Sequence, residues 1–343
     1  MGERTNLDSR RPWAACALAA LFAILTPLVA TAEEPANPID ANPIDGARAF
    51  GYLEALCEFG PRPSGSEAML AQRDYVVEHF ESLGAEVELQ KFRAKNPLFG
   101  RQDGQLRQVR MANVVARYQP EKKERVLLCA HYDTRPLPSM DPNPRVRATG
   151  RFIGANDGAS GTALLMELAH HLEEYDGPMG VDLVLFDGEE LVYIDPTTPW
   201  GKGDPYFLGS NWFAQQYKRR KDNSWDYRWG VLLDMVGDKD LQIYQEVHSF
   251  RWKSTRPLVQ EIWGTAARLG VEEFVPRTKH LVKDDHLPLN QIGKIPTIDL
   301  IDFDYPHWHT EADTPRQCSG ESLAKVGWVV WEWLGELRPA PAE

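Results

Sequence analysis

At 343 residues, 43% apolar and 10% aromatic, the chain can bury a full core, which excludes disorder for most of its length. Its formal charge is −12, and no basic cluster is long enough to follow a phosphate backbone. Nucleic acid is therefore excluded as a partner.

Arg10-Arg11 precede an apolar stretch from Ala14 to Val29, closed by Ala30-Thr31-Ala32 and the polar Glu33-Glu34. That order is a secretory signal with cleavage near Ala32. The stretch is short for a span, which needs about 20 residues, so the mature chain is expected to be exported (secreted or periplasmic) without a membrane span. Cys16 falls inside residues 1–32, and Cys57, Cys129 and Cys318 remain. Three cysteines leave at least one unpaired and make no disulfide framework. Residues 33–45, "EEPANPIDANPID", read as a flexible leader.

A single domain is expected over 46–338. Helical patterns cover 47–57 and 67–83, the second with Ser66 as N-cap. "AEVELQKF" and "MANVVARY" alternate as strands. Strands at 126–130, 181–186, 230–235 and 296–301 then alternate with helices at 160–174, 209–217, 255–269 and 321–337. Continuous apolar strands between helices predict an α/β fold, a mostly parallel mixed sheet covered by helices on both faces. Residues 94–108, 134–152 and 193–208 read as loops.

The polar residues of interest stand where apolar strands stop. "RVLLCA" runs into His131-Tyr132-Asp133, and "GANDGASG" holds Asp157 in a glycine-rich turn before a helix. "LVLFDGEE" ends in Glu189-Glu190, "VLLDMVGD" carries Asp234, and "YPHWHT" carries His309. Carboxyl ends of strands in an open α/β sheet face one crevice, so five such ends converge. Any one of these residues has an ordinary explanation as a cap or turn residue; the conjunction points to zinc, held by imidazole and carboxylate. Adjacent glutamates at a core strand end fit the same reading. One ligates a metal that compensates its charge, and the other acts beside it as general acid/base.

In order and spacing, "HYD", "GANDGASG", "FDGEE", "LLDMVGD" and the terminal "HT" resemble the M28 zinc aminopeptidase superfamily. "KDDHLPL" and "HWHT" are similar to its glutaminyl cyclases (glutaminyl-peptide cyclotransferases), over roughly residues 47–337. The resemblance implies zinc ligands at Asp157, Glu190 and His309, and a catalytic carboxylate at Glu189. It also implies Asp234 and Asp284 as hydrogen-bonding partners of Glu189, and Trp308 as the aromatic wall of the substrate pocket. In the two-zinc aminopeptidases His131 and Asp234 would hold a second ion bridged by Asp157, so the sequence permits one zinc or two. Asp195 stands where animal cyclases carry a second pocket tryptophan. Cys129 is displaced, and Thr162 stands where its disulfide partner would be. Asp302 and Asp304 add negative charge close to the expected pocket.

The implied function is cyclisation of N-terminal glutamine to pyroglutamate on peptides with a free N-terminus. The alternative is hydrolysis of N-terminal residues by an M28-type aminopeptidase. A non-catalytic binding ectodomain would be expected to have lost Glu189 or a ligand, and none is missing.

Overall fold

The computed structural model describes residues 42–95, 101–102, 105–106, 108–190, 206–222 and 224–338. The signal segment, most of the leader and Asp195 lie outside them. In chain order the elements are α1 (Gly46–Glu58), α2 (Glu67–Ser82), β1 (Glu86–Lys95), β2 (Arg101–Gln102), β3 (Gln105–Leu106), β4 (Gln108–Tyr118) and β5 (Glu124–His131). Then come α3 (Pro144–Thr149), α4 (Gly161–Leu172), β6 (Gly180–Phe186), α5 (Leu208–Arg219) and β7 (Asp226–Asp234). The chain closes with β8 (Ile243–Gln245), α6 (Val247–Arg251), α7 (Arg256–Leu269), β9 (Phe274–Thr278), α8 (His286–Pro288), β10 (Thr297–Ile301) and α9 (Gly320–Glu336).

The main sheet has the order β1-β4-β6-β5-β7-β10. Strands β6, β5, β7 and β10 run parallel, while β4 pairs antiparallel with both β6 and β1. This is the expected α/β architecture. Side chains of β5 alternate between its two faces. Val126, Leu128 and Ala130 join the core under α1, α2, α4, α7 and α9, whereas Leu127 and Cys129 pack with Phe213, Ala214 and Leu289 on the other side. Both faces are covered, which is why the central strands read as unbroken apolar runs.

Some expectations shift. The stretch read as a loop at 134–152 contains α3, and the stretch at 94–108 contains the β2–β3 pair. Strands β8 and β9 pair in a small second sheet, and they are too short to show a period. The end of the leader is tied down. Asn42 Nδ2 donates to Ala324 O (3.1 Å), Ile44 is buried, and Asp45 caps α1 by accepting from Arg48 N (2.9 Å).

One glycine decides how α4 meets the sheet. A Cβ at Gly161 would lie 2.1 Å from Leu233 O and 2.9 Å from Ala130 Cβ. The absence of a side chain lets the helix start directly against the ends of β5 and β7, which is where the polar residues gather.

Candidate active site

Because β6, β5, β7 and β10 are parallel, their carboxyl ends open on one side. His131 ends β5, Asp187 to Glu190 follow β6, Asp234 ends β7, and the chain beyond β10 brings in Trp308 and His309. Asp157 sits in an irregular helical turn, Ala155–Ser160, ahead of α4. Its neighbour Gly158 has φ +95°, and a Cβ there would fall 2.8 Å from Asp133 O and 3.0 Å from His131 Cε1. The glycine allows the turn to pass close over His131.

Two buried carboxylates hold this backbone in place. Asp313 accepts from Asn156 N (2.8 Å), Asp157 N (3.2 Å) and the Tyr305 hydroxyl (2.7 Å). Asp133 accepts from Glu189 N and Glu190 N, both at 3.1 Å. Sequence reading assigned neither role, because the acceptors lie 157 and 56 positions from the groups they anchor.

Asp157, Glu190 and His309 converge: their donor atoms all lie within 4.8 Å of one another. His309 Nε2 is 2.9 Å from Glu190 Oε1 and 3.4 Å from Asp157 Oδ2. His131, Asp157 and Asp234 form a second such group, with His131 Nε2 3.2 Å from both carboxylates. Asp157 bridges the two. Its Oδ2 is buried without a hydrogen-bond partner, a costly state for a carboxylate. A divalent cation shared by Asp157, Glu190 and His309 would relieve that cost, and the donor set is one that zinc accepts.

Electrostatics separate the adjacent glutamates. Burial raises both, but at Glu190 the Arg135 guanidinium and then His309 outweigh it and hold the carboxyl well below its usual range. Glu189 forms no ion pair of this kind: burial, and then the charge of Glu190, outweigh the pull of His131 and push it well above. Two carboxylates poised in opposite directions mark distinct tasks. Arg135 also donates to His309 Nε2 at 3.2 Å. It was missed in the sequence, where only its place just after the His-Tyr-Asp motif hinted at it.

The cavity beside these groups has a volume of about 290 Å³. Its lining includes Glu189, Asp234 and Asp284 together with Phe207, Ile301, Phe303 and Trp308. Trp308 stacks on His309 with ring centroids 3.8 Å apart and meets Phe303 at 5.1 Å. His309 itself has φ +56°, a left-handed conformation uncommon for a side chain of its size.

One expectation needs correction. Neither Asp234 nor Asp284 hydrogen-bonds Glu189; Asp234 faces His131, and Asp284 Oδ1 accepts from Asp285 N (2.5 Å). Burial first, then the charges of Asp234 and Asp285, raise Asp284 well above the usual carboxylate range. Asp302 and Asp304 do not line the cavity. Asp302 accepts from Gln242 N (2.8 Å), and Asp304 pairs with Lys279 and with His280 (2.9 Å). Cys57, Cys129 and Cys318 are all free.

The model of peptidase family M28 matches residues 113–334. A glutaminyl-peptide cyclotransferase-like protein of Mus musculus is 28% identical over 336 residues, covering 90% of this chain and 80% of its own. The structure of Fimbriiglobus ruber glutaminyl cyclase is similar with a TM-score of 0.78 and 39% identity, covering 86% of this chain and 96% of that one. A Zn-dependent exopeptidase from Parabacteroides distasonis has a TM-score of 0.77 and 29% identity, covering 86% and 99%. The region matched by the family model contains both donor groups, Glu189 and Trp308.

Proposed function

The chain belongs to peptidase family M28 and, within it, to the glutaminyl cyclases, and we propose that it converts the N-terminal glutamine of peptides to pyroglutamate, releasing ammonia. The observation that carries this reading is the pairing of a raised, cavity-facing Glu189 with the flat wall of Trp308 stacked on His309. A small side chain folded back on its own amine fits between them.

In the reaction the α-amine nitrogen attacks the side-chain amide carbon, the carbon–nitrogen bond of that amide breaks, and no water enters. Glu189 takes the proton from the attacking amine and delivers it to the departing nitrogen, the task of a single general acid/base. Its raised proton affinity suits it to carry that proton rather than to remain a fixed charge. Asp157, Glu190 and His309 would hold zinc, which supplies Lewis-acid polarisation of the amide carbonyl. The peptide backbone beyond the first residue leaves through the cavity mouth, where Met140 and Leu281 are exposed.

A second reading is favoured by the His131–Asp157–Asp234 group, which could hold a second ion. The activity would then be hydrolysis of N-terminal residues. Mass spectrometry on two peptides separates the readings. The expected result is a Gln-initiated peptide lighter by one ammonia and a Leu-initiated peptide untouched. Free leucine with the Gln peptide unchanged would establish the peptidase instead. The Arg-flanked apolar segment ending near Ala32 supports action outside the cytoplasm, and no helix among the described residues is long and apolar enough to cross a membrane.

A further inference from the structure

Away from the cavity, one surface runs against the charge of the whole chain. A cleft of about 730 Å³ opens where the beginning of α2 meets the later half of β1 and the first residues of β4. Arg73, Lys91, Arg93 and Arg110 line it beside Leu70, which is 40% exposed. No acidic residue belongs to its lining among the described residues, although the chain carries a formal charge of −12. The cleft shares no lining residue with the cavity of the candidate active site.

Strand register explains how the cations come together. Val87 and Leu89 of β1 lie opposite Ala116 and Val114 of β4, and all four pack into the core. Side chains alternate between faces, so the same face continues as Lys91 and Arg93 on β1 and as Ala112 and Arg110 on β4. An apolar face becomes a cationic one within two residues. Arg93 stands directly opposite Arg110, and like charges so placed weaken a strand pair. Lys91, Arg93 and Arg110 are exposed, and none of them has an ion pair among the described residues. Arg73 Nε is buried without a hydrogen-bond partner, and 3.9 Å separates it from the exposed Asp74. The reverse face of the ribbon is filled: Phe92 stacks on Trp212 at 5.7 Å and packs with Val109 and Met111. Charged residues on an edge strand such as β1 keep it from pairing with other sheets. That purpose requires neither Arg110 on the inner strand nor Arg73 on the helix.

We propose that this cleft is a docking site for an acidic peptide segment, extended and carrying Asp or Glu at alternate positions. Lys91 and Arg93 stand two residues apart on one strand face, about 7 Å, the interval at which an extended peptide presents every second side chain. Carboxylates at that interval meet the two cations in turn, and guanidinium groups donate to carboxylates in paired hydrogen bonds. A carboxylate bound between Arg93 and Arg110 converts their mutual repulsion into a shared attraction. Leu70 offers apolar contact to an intervening residue. A long polyanion is disfavoured, because the acidic surface around the cleft repels whatever extends beyond it. Docking here involves no residue of the proposed reaction and stands independently of it.

The test is fluorescence anisotropy with a labelled, N-acetylated peptide, Ser-Glu-Ser-Glu-Ser-Glu, whose blocked amine keeps it out of the proposed reaction. The expected result is saturable binding that weakens as salt is raised, because exposed charges are screened. The same peptide with Gln for Glu should not bind, and the isomer Ser-Ser-Ser-Glu-Glu-Glu should bind ~5-fold more weakly or worse. The double variant Arg93→Gln with Arg110→Gln should lose ~10-fold or more in affinity. Its melting temperature should hold or rise, since a like-charge pair is removed, and its turnover of a short Gln peptide should match the parent. Equal binding of the two isomers, or tighter binding of single-stranded DNA or phosphatidylserine vesicles, would overturn the proposal in favour of a general attraction for anions. A double variant that binds the peptide like the parent would overturn it too, as would one that melts several degrees lower, which would assign the arginines to the fold. If that variant fails to fold, the isomer comparison and Lys91→Gln, expected to weaken binding, still decide it.

Discussion

Glu189 and Glu190 are neighbours in sequence and opposites in environment. Glu190 pairs with Arg135 and His309, while at Glu189 burial and the charge of Glu190 outweigh the pull of His131. Exchanging each for its isosteric amide should therefore give different phenotypes. Glu189→Gln removes a group that can exchange a proton, so zinc content should hold while kcat falls ~10²–10⁴-fold. Glu190→Gln removes a carboxylate from the proposed zinc site, so zinc should be lost on dialysis and activity should recover only partly with added metal. Metal analysis beside kcat separates the two, and the roles would be exchanged if Glu189→Gln were the variant that lost zinc. The candidate residue types were legible in the sequence because Glu189 and Glu190 follow an apolar run, Asp157 stands in a glycine-rich turn and His309 lies beyond a further strand. The electrostatic difference between the two glutamates was not, because it comes from Arg135 and His309, which lie 55 and 119 positions from Glu190.

At the scale of elements, helix α1 is clamped to α4 by a charged fork that the site does not use. Arg48 Nε and Nη2 reach the two oxygens of Glu167 at 2.6 and 2.8 Å, and Asp45 N donates to the same carboxylate at 3.0 Å. Glu167 is buried, but its hydrogen bonds from His171 and Arg48 outweigh burial and lower its proton affinity. Glu167→Gln should cost about 1–2 kcal/mol, less than a fully buried pair because Arg48 is partly solvated. A group whose folded proton affinity is depressed stabilises above its unfolded pKa, here about 4.3, and loses that contribution as pH falls through the folded value. Melting curves should thus show the parent's advantage over Glu167→Gln intact at pH 7 and shrinking below about pH 4. A constant difference down to pH 2 would mean the fork contributes by packing alone. The six longer helices were predicted within a residue or two, whereas the short α3, α6 and α8 and the neighbours of every helix in space were not. Periodicity reports a buried face but does not name what covers it.

For the molecule as a whole, the clustered charge of Asp157, Glu190, Asp234 and Glu189 at the sheet's carboxyl edge makes metal a term in stability. An ion that binds only the folded chain raises the melting temperature with its concentration, and chelation should lower it by several degrees at pH 7. Chelation should also abolish turnover. A melting temperature indifferent to chelator in a zinc-containing preparation would contradict this arrangement. Native mass spectrometry of the same preparation counts the ions, and a single zinc is expected at Asp157, Glu190 and His309.

By itself the sequence determined the succession of the main strands and helices along the chain, and it determined which residue types stand at the strand ends. Those features are local: a buried strand must be apolar along its length, and a polar residue where it stops is conspicuous. The glutaminyl cyclase resemblance was carried by the same stretches. Only the tertiary structure decided that Asp133 and Asp313 hold the backbone at Asp157, Glu189 and Glu190, and that Asp302 and Asp304 are engaged by Gln242 N, Lys279 and His280. It also decided that His286 stands between Glu246 and Asp299. These depend on which side chains are brought within a few ångströms across the fold, where burial and charge act through space and chain distance has no bearing.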